Sequence, residues 1–209
     1  MKKEVKKLLD IVTRKGSSKI LSFSTPHVFK ALQILDEQKY VSRTTFCNEL
    51  HIGEGAVRTL ISHLKTDEII GTIKAGTFLT SKGKKFTKKF SNVISAQCTI
   101  KSCNIARGKY NHAFLLKNYS KIICNGMDQR DYAVMYGAKS ATTLSFENGK
   151  FVFPNETGDA LLEDIKTKNI LCEKLNPDEQ DIVIIASSDD PFVSEISAIN
   201  SVLTTLATN

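Results

Sequence analysis

Cationic and hydroxylated side chains occupy one face of a predicted helix over residues 53–65. The opposite face is an apolar stripe at helical spacing, formed by Val57, Leu60, Ile61 and Leu64. Such a stripe predicts an amphipathic helix that is buried on that side. The other face carries Glu54, Gly55, Arg58, Thr59, Ser62 and Lys65. Small, hydroxylated and cationic side chains suit contacts with phosphates and base edges, so we predict that this helix enters the major groove of DNA.

The segments on either side of this helix predict how it is positioned. A shorter helical pattern precedes it, with Ser42 or Thr44 as its N-cap and with a break at Gly53. Two predicted strands follow it, residues 69–74 and 77–80, joined at Ala75-Gly76. Helix, turn, helix and hairpin is the order of a winged helix-turn-helix, whose hairpin tip touches the flanking DNA backbone.

The charge of the chain is divided unevenly between its two halves. Residues 1–90 hold 18 Lys/Arg and 8 Asp/Glu, a balance of +10, whereas residues 91–209 hold 11 and 14, a balance of −3; together they give the net +7. Five lysines fall within residues 81–90, directly after the predicted hairpin. A basic half joined to a mildly acidic half is typical of a nucleic-acid-binding module that carries a different companion domain.

These patterns predict a set of residues that contact double-stranded DNA. Arg58, Thr59 and Ser62 are the best candidates for base contacts, and Lys65, Lys74 and the lysines of residues 82–89 for phosphate contacts. The full set is Ser42, Thr44, Thr45, Glu54, Gly55, Arg58, Thr59, Ser62, Lys65, Lys74, Gly76, Thr77, Lys82, Lys84 and Lys85. A helix pair and a hairpin also occur as a purely structural module or as a protein-binding winged helix, and both alternatives remain open.

Three segments resemble the winged-helix regulators of archaea. They are residues 22–28 (Ser-Phe-Ser-Thr-Pro-His-Val), 53–61 (Gly-Glu-Gly-Ala-Val-Arg-Thr-Leu-Ile) and 76–83 (Gly-Thr-Phe-Leu-Thr-Ser-Lys-Gly). The whole chain resembles an archaeal family that joins such a module to a C-terminal domain of unknown function. The resemblance implies DNA binding for the N-terminal half and brings no known activity for the C-terminal half.

The chain is long enough for two small domains. We predict a DNA-binding domain over residues 1–90, a linker helix over 91–109 and a C-terminal α/β domain over 110–209. The first domain begins with a basic amphipathic helix that ends at Gly16, and its next helix carries Pro26 in the first turn with Thr25 as the cap. The helix after the hairpin is predicted to extend to residue 106 as a domain linker or dimer seam.

The C-terminal domain reads as β-α-β-β-α-β-α, the order of a ferredoxin-like (split βαβ) sandwich with an added helix. Asn148-Gly149 is a strong hairpin signal between the second and third strands. The predicted strands are 113–117, with a short extension at 121–124, then 141–146, 150–153 and 181–186; the predicted helices are 127–136, 157–175 and 190–207. The predicted fold class is therefore α+β.

Two polar stretches of this domain suggest a site for a small-molecule effector. One lies at the start of a helix and the other follows the most apolar strand, where free backbone N–H groups at a helix N-terminus favour an anion. The candidate ligand-binding residues are Gln129, Arg130, Asp131, Thr142, Thr143, Ser187, Ser188, Asp189 and Asp190. The alternative is that the acidic and hydroxyl residues only cap helices and that Arg130 pairs with Asp131.

No catalytic residue, metal site or cofactor is predicted, because no phosphate-binding loop, nucleophile elbow or zinc motif occurs. Cys98 and Cys103 with His112 lack the spacing of a metal site, so burial of the cysteines as small hydrophobic side chains is favoured. The five scattered cysteines argue against a secreted disulfide scaffold. No apolar run is long enough to cross a membrane, and we expect a cytoplasmic location.

We therefore predict a DNA-binding transcriptional regulator, a homodimer, whose second domain binds an effector or mediates dimerisation. Two alternatives stay open. One is an enzyme fused to a DNA-binding domain, and the other is a winged-helix protein–protein adaptor.

Overall fold

The chain divides into two units, Met1–Phe90 and Ser91–Asn209. A computed structural model describes residues 1–13 and 21–208. Each unit combines helices with an antiparallel sheet, so the fold class is α+β. The first unit has the bounds of the predicted N-terminal domain, and residues 91–109, predicted as a linker helix, belong to the second unit.

The described part of the first unit consists of helices and one two-stranded hairpin. The helices are α1 (Lys2–Val12), α2 (Thr25–Glu37), α3 (Arg43–Leu50), α4 (Glu54–Thr66) and α5 (Ser81–Ser91). The strands are β1 (Ile70–Ile73) and β2 (Gly76–Leu79), which pair antiparallel. The predicted order of helix, helix and hairpin over residues 42–80 is confirmed.

Apolar side chains at helical spacing form the core of this unit. On α1 the buried residues are Val5, Leu8 and Ile11, and on α4 they are Val57, Leu60 and Leu64. Ile61, predicted to belong to the same stripe of α4, is only half-buried because it borders an open groove. Burying one face of each helix leaves the opposite, polar face in solvent.

Local hydrogen bonds define where the helices of this unit begin. Ser42 is the N-cap of α3, and its hydroxyl accepts from the Thr45 N–H at 3.0 Å. The prediction of Thr25 as the cap of α2 is wrong, since Thr25 is the first helical residue and Ser24 precedes it as the N-cap. The predicted helix end at Gly16 lies outside the described residues.

The second unit contains a five-stranded antiparallel sheet. Its strands are β3 (Ile94–Ile100), β4 (Tyr110–Leu116), β5 (Ser140–Glu147), β6 (Lys150–Val152) and β7 (Ile182–Ser188), in the spatial order β3-β4-β7-β5-β6. Its helices are α6 (Met127–Val134), α7 (Ile165–Leu175) and α8 (Pro191–Thr208). α7 lies on one face of the sheet, and α6 and α8 pack together on the other face.

The ferredoxin-like topology is wrong for this sheet. In a split βαβ arrangement the fourth strand of the motif lies at one edge of the sheet, next to the first strand, whereas the corresponding strand here, β7, has a neighbour on both sides. β7 occupies the centre between β4 and β5, and all seven of its residues are buried. A strand that is apolar on both faces is most stable where both faces are covered, and in this sheet that is the centre.

The predicted linker helix is also wrong. α5 ends at Ser91, and residues 94–100 form the edge strand β3, which pairs with β4. Ile94, Ala96, Cys98 and Ile100 recur at every second residue, the period of a strand. The strand conformation of β3 depends on its pairing with β4. The helical spacing of the phenylalanines in α5 therefore does not predict it.

Two further boundaries differ from the sequence predictions, and one predicted turn agrees with the structure. The segment predicted as a strand extension over 121–124 contains a single 3₁₀ turn, Ser120–Ile122. The helix predicted from residue 157 begins only at Ile165, because the Asp164 carboxylate accepts the Thr167 N–H at 3.0 Å and caps it there. The Asn148-Gly149 turn is confirmed, and both residues have the positive φ of a type I′ hairpin.

Candidate nucleic-acid interface

A groove of about 520 Å³ lies between the N-terminus of α3, the exposed side of α4 and the β1–β2 hairpin. We call it the α4 groove. Its polar lining residues include Ser42, Arg43, Arg58, Lys65, Thr72 and Lys74. The structure thus brings together predicted DNA contacts from three separate elements, with four cationic side chains along one concavity.

Arg58 lines this groove and forms an ion pair within its own helix. Its Nη2 is 2.7 Å from Glu54 Oε1, and Arg43 Nη1 of α3 approaches the same oxygen at 3.8 Å. These three side chains are each more than half exposed. The hydrogen bond from Arg58, with its charge, lowers the pKa of the Glu54 carboxyl, so this carboxylate stays ionised at neutral pH.

The hairpin is tied to the segment that precedes α3. The Val41 N–H donates to the Thr77 carbonyl and the Thr77 N–H donates to the Val41 carbonyl, both at 2.9 Å. Gly76 has φ of 137°, and a Cβ placed there would lie 2.8 Å from the Val41 carbonyl oxygen. Only glycine fits this close approach without strain, so Gly76 has a structural role at the edge of the groove.

Thr77 was predicted as a DNA contact, and this prediction is wrong for its side chain. The residue is 3% exposed, because it lies on the inward face of β2. Its neighbours Thr72 and Lys74 lie on exposed parts of the hairpin, and the Lys65 ammonium donates to the Thr72 hydroxyl at 3.2 Å. Lys74 and Lys65 therefore remain available at the rim of the groove.

Two hydroxyl groups predicted to contact DNA form local hydrogen bonds at their own helices. The Thr59 hydroxyl donates to the Gly55 carbonyl at 3.1 Å, and the Thr45 hydroxyl lies 2.8 Å from the Ser42 hydroxyl. These bonds hold both side chains against the helix backbone. Thr44 and Ser62 are exposed on the surfaces of α3 and α4.

The lysines that follow the hairpin do not line the α4 groove. Lys82 and Lys85 border a different concave surface between α1 and α5, and Lys84 borders a third near the end of α2. Lys82 is also paired with Glu68 at 2.8 Å. Because α5 directs these lysines to other surfaces, their predicted phosphate contacts would lie outside the α4 groove and stay a prediction.

Arg43 is a groove residue that sequence reasoning missed. It is the first residue of α3, directly after the Ser42 cap, and its side chain is 58% exposed. A cation in the first turn of a helix opposes the helix dipole and needs another reason to be there. The position of Arg43 directly after the N-cap is therefore the sequence feature that could have identified it as a groove residue.

The effector-binding residues predicted in the second unit do not form one site. Gln129 is buried and its amide donates to the Thr205 hydroxyl of α8 at 3.1 Å, while Arg130 is paired with Asp131 at 3.0 Å on the surface. Thr142 and Thr143 are neighbours on β5 and therefore point to opposite faces of the sheet. The Thr142 hydroxyl donates to the Ile105 carbonyl at 2.5 Å.

The second polar stretch serves mainly to connect β7 to α8. Ser187 and Ser188 are buried within β7, and Asp190 Oδ1 accepts the Val193 N–H at 2.9 Å in the first turn of α8. Asp189 is paired with Lys139. The capping interpretation is confirmed for Asp190, and the pairing of Arg130 with Asp131 is confirmed as well.

Neither a metal centre nor a membrane span is present in the described part of the chain. Within residues 1–13 and 21–208, no three His, Cys, Asp or Glu side chains are grouped to hold a metal ion. In the same residues no helix has both the length and the apolar character needed to cross a membrane. Cys98 and Cys103 pack against the core under the sheet, and burial raises the pKa of the Cys98 thiol to about 11.

Comparisons with known proteins give similarities for both units. Residues 107–206 match the family model "Domain of unknown function (DUF4443)", and residues 32–85 match "PH0730-like, N-terminal domain". No curated protein matches the chain. A solved structure, "Hypothetical protein PH0730 from Pyrococcus horikoshii OT3", has 24% sequence identity and a TM-score of 0.73 over 90% of this chain and 95% of that chain. The chain thus has a fold similar to that of an archaeal protein, and each of its two units matches one family model.

Proposed function

We propose that this chain is a DNA-binding transcriptional regulator, with α3, α4 and the β1–β2 hairpin acting as a winged helix-turn-helix. The observation that carries the proposal is the α4 groove, where Arg58 lines one concavity together with cations from α3 and from the hairpin. Clustered cations along one concave surface, beside an exposed helix, match the charge pattern of duplex DNA.

The tie between Val41 and Thr77 supports the winged-helix assignment. Because this backbone pairing fixes the hairpin to the segment before α3, the hairpin is held beside α4 rather than projecting freely. In a docked complex, α4 would lie in the major groove and the hairpin would follow the neighbouring backbone. Lys65 and Lys74 line the same groove as Arg58 and are the proposed phosphate-binding residues.

Arg58 is the proposed base-reading residue. A guanidinium can donate two hydrogen bonds to the O6 and N7 atoms of guanine, and in the free protein Nη2 of Arg58 donates to Glu54, so guanine would compete with this carboxylate. Glu54 is released in that step and can accept from the N4 of a neighbouring cytosine. Arg43, the first residue of α3, is the proposed phosphate-binding residue of that helix.

The second unit is proposed to mediate homodimerisation or to bind an effector. A dimer would place two α4 helices on two half-sites of a symmetric operator, and a change in their spacing would alter the affinity for DNA. The residues first predicted for an effector are dispersed, so dimerisation is the role that this proposal favours.

Selection of duplexes by the full-length chain, followed by affinity measurements with Arg58→Ala, tests the proposal. The variant should lose about 1–3 kcal/mol of discrimination at one base position while other positions keep their preference. Arg130→Ala is the matched control, since Arg130 is also an exposed arginine paired with a carboxylate on a helix. Equal affinity of the wild-type chain for all duplexes, or an equal loss by Arg58→Ala on all of them, would contradict base reading by Arg58.

A further inference from the structure

A second basic groove, of about 640 Å³, lies between α1 and α5. We call it the α1–α5 groove. Five of its lining residues are lysines: Lys3, Lys7, Lys82, Lys85 and Lys89. None of its lining residues also lines the α4 groove. It is therefore a separate surface of the first unit, which the proposed reading of DNA by α4 leaves unused.

The helical periods of α1 and α5 produce this groove. In α1 the buried residues Val5 and Leu8 set the inner face, which leaves Lys3 and Lys7, one turn apart, along its border. In α5 the inner face carries Phe86 and Phe90. Lys82, Lys85 and Lys89 then fall at i, i+3 and i+7 along one border of that helix, so two rows of lysines line the same groove.

Part of this positive charge is not compensated. Lys89 is paired with Glu4 and Lys82 with Glu68, each at 2.8 Å. Among the carboxylates of residues 1–13 and 21–208, none lies within ion-pair distance of Lys3, Lys7 or Lys85, and only Lys7 has a longer-range attraction, to Glu68. Uncompensated lysines repel one another on a small surface, and an anionic partner relieves that repulsion.

The chemistry of the groove favours a phosphate backbone over an acidic amphipathic helix. Such a helix needs apolar anchor pockets, but Phe86 is only 8% exposed and the Lys7 ammonium lies 5.4 Å from its ring centroid. Lysine is a flexible point charge that binds phosphate without reading sequence. Building on the DNA-binding function proposed above, we infer that the α1–α5 groove binds the sugar–phosphate backbone of duplex DNA, outside the segment that α4 reads.

This second surface predicts a sequence-independent contribution to affinity. Three lysines can be changed without breaking an ion pair in the described structure, so the full-length Lys3→Gln/Lys7→Gln/Lys85→Gln variant tests it. Its affinity for both selected and random duplexes should fall at least tenfold at low salt. The slope of log affinity against log salt should decrease in magnitude by about 2–3, since each lost phosphate contact removes about 0.9. The ratio between selected and random duplexes should stay the same.

A matched control removes the same charge from the second unit. Lys121, Lys150 and Lys166 are exposed there, and Lys121→Gln/Lys150→Gln/Lys166→Gln should change DNA affinity less than twofold. An equal effect of the two triple variants on DNA would overturn the inference. The inference would also be overturned if the α1–α5 variant kept its DNA affinity but no longer bound polyglutamate. The groove would then bind an acidic polypeptide.

The result is separable from the test of the α4 groove. If Arg58→Ala leaves discrimination unchanged while the α1–α5 variant loses affinity and salt slope, base reading by Arg58 fails and the backbone-binding surface stands. If Arg58→Ala loses discrimination and the α1–α5 variant matches its control, base reading by Arg58 stands and the backbone-binding role of the α1–α5 groove fails. A chain that binds no duplex at low salt would overturn both.

Discussion

Arg58 and Glu54 face each other one turn apart on α4, with Nη2 2.7 Å from Oε1. Arg43 extends from α3 toward the same carboxylate. In the free protein, one acidic side chain thus holds the two guanidinium groups that border the α4 groove. Any anion that enters the groove competes with Glu54 for both of them.

Replacing Glu54 by glutamine should strengthen DNA binding and make it less selective. The change frees Arg58 and Arg43 and removes one negative charge that repels phosphates. We expect the affinity for random duplexes to rise about three- to tenfold, with a smaller gain on selected duplexes. Fluorescence anisotropy at fixed salt measures both. Unchanged affinity on random duplexes would show that Glu54 does not restrain the groove.

Two glycines in the first turns of their helices should respond in opposite ways to alanine. A Cβ at Gly83 of α5 would lie 2.0 Å from the Ile69 carbonyl oxygen, so Gly83→Ala should lower the free energy of unfolding by about 1–3 kcal/mol. A Cβ at Gly55 of α4 meets nothing within 4 Å, so Gly55→Ala should raise it by up to about 1 kcal/mol through helix propensity.

Urea unfolding of the two variants gives both values. Gly55→Ala should also weaken DNA binding, because its methyl group projects from the exposed side of α4. A variant that is more stable and binds DNA as well as the wild type would show that Gly55 does not approach DNA closely.

His27 should make the stability of the first unit depend on pH. Burial is the main cause that lowers the pKa of His27 to about 4, aided by the charges of Lys30 and His51. The ring also accepts the Ser24 N–H at Nδ1, 3.2 Å away, which requires the neutral form. Between about pH 6.5 and pH 4 the unfolded chain therefore binds a proton that the folded chain does not, and stability falls as the pH falls.

The loss from this histidine is at most about 2 kcal/mol at pH 5, from a difference of 1.5 pH units. Urea unfolding at pH 7 and pH 5 measures it, with His27→Gln as the comparison. The variant should lose less stability between the two pH values than the wild type. An equal loss in both proteins would assign the pH dependence to other groups.

Among the carboxylates near the start of β7, Asp181 should cause the largest loss of stability when it is replaced. It is 1% exposed, and its oxygens accept from the Lys117 ammonium at 2.8 Å and from the backbone N–H groups of Asn118 and Asp178. Asp181→Asn should cost about 2–4 kcal/mol because it leaves Lys117 without its buried partner.

Asp178→Asn is the matched control, since Asp178 contacts the same ammonium at 2.8 Å but its side chain is 77% exposed. It should cost less than about 0.5 kcal/mol. Similar losses for the two variants in chemical denaturation would contradict the importance of the buried network.

The helices of the first unit were predictable because their signal is local. Val57, Leu60 and Leu64 define the inner face of α4 by spacing alone, and Ser42 identifies the start of α3 by its capping chemistry. The order of strands in the second unit was not predictable in the same way. β7 lies between β4 and β5 through long-range pairing, which a strand pattern in the sequence does not encode.

In the candidate site, too, features set by local sequence were predictable and features set by long-range contacts were not. The sequence places Arg58 on the exposed face of α4, since that follows from the helical period. It gives no indication that Thr77 is turned inward or that Lys82 and Lys85 line another groove, because those outcomes depend on Val41 and on α1. Residues assigned by helical period were placed correctly more often than residues assigned by being near one another in the sequence.

The most direct test of the central claim is the salt dependence of binding between the full-length chain and a selected duplex. Contacts from the α4 groove, together with those of the α1–α5 groove, predict a steep linear decrease of log affinity with log salt, with a slope of magnitude about 4–7. They also predict a specific duplex that outcompetes random DNA across the salt range. A slope near zero, or no binding at low salt, would contradict a DNA-binding role and favour the protein–protein adaptor.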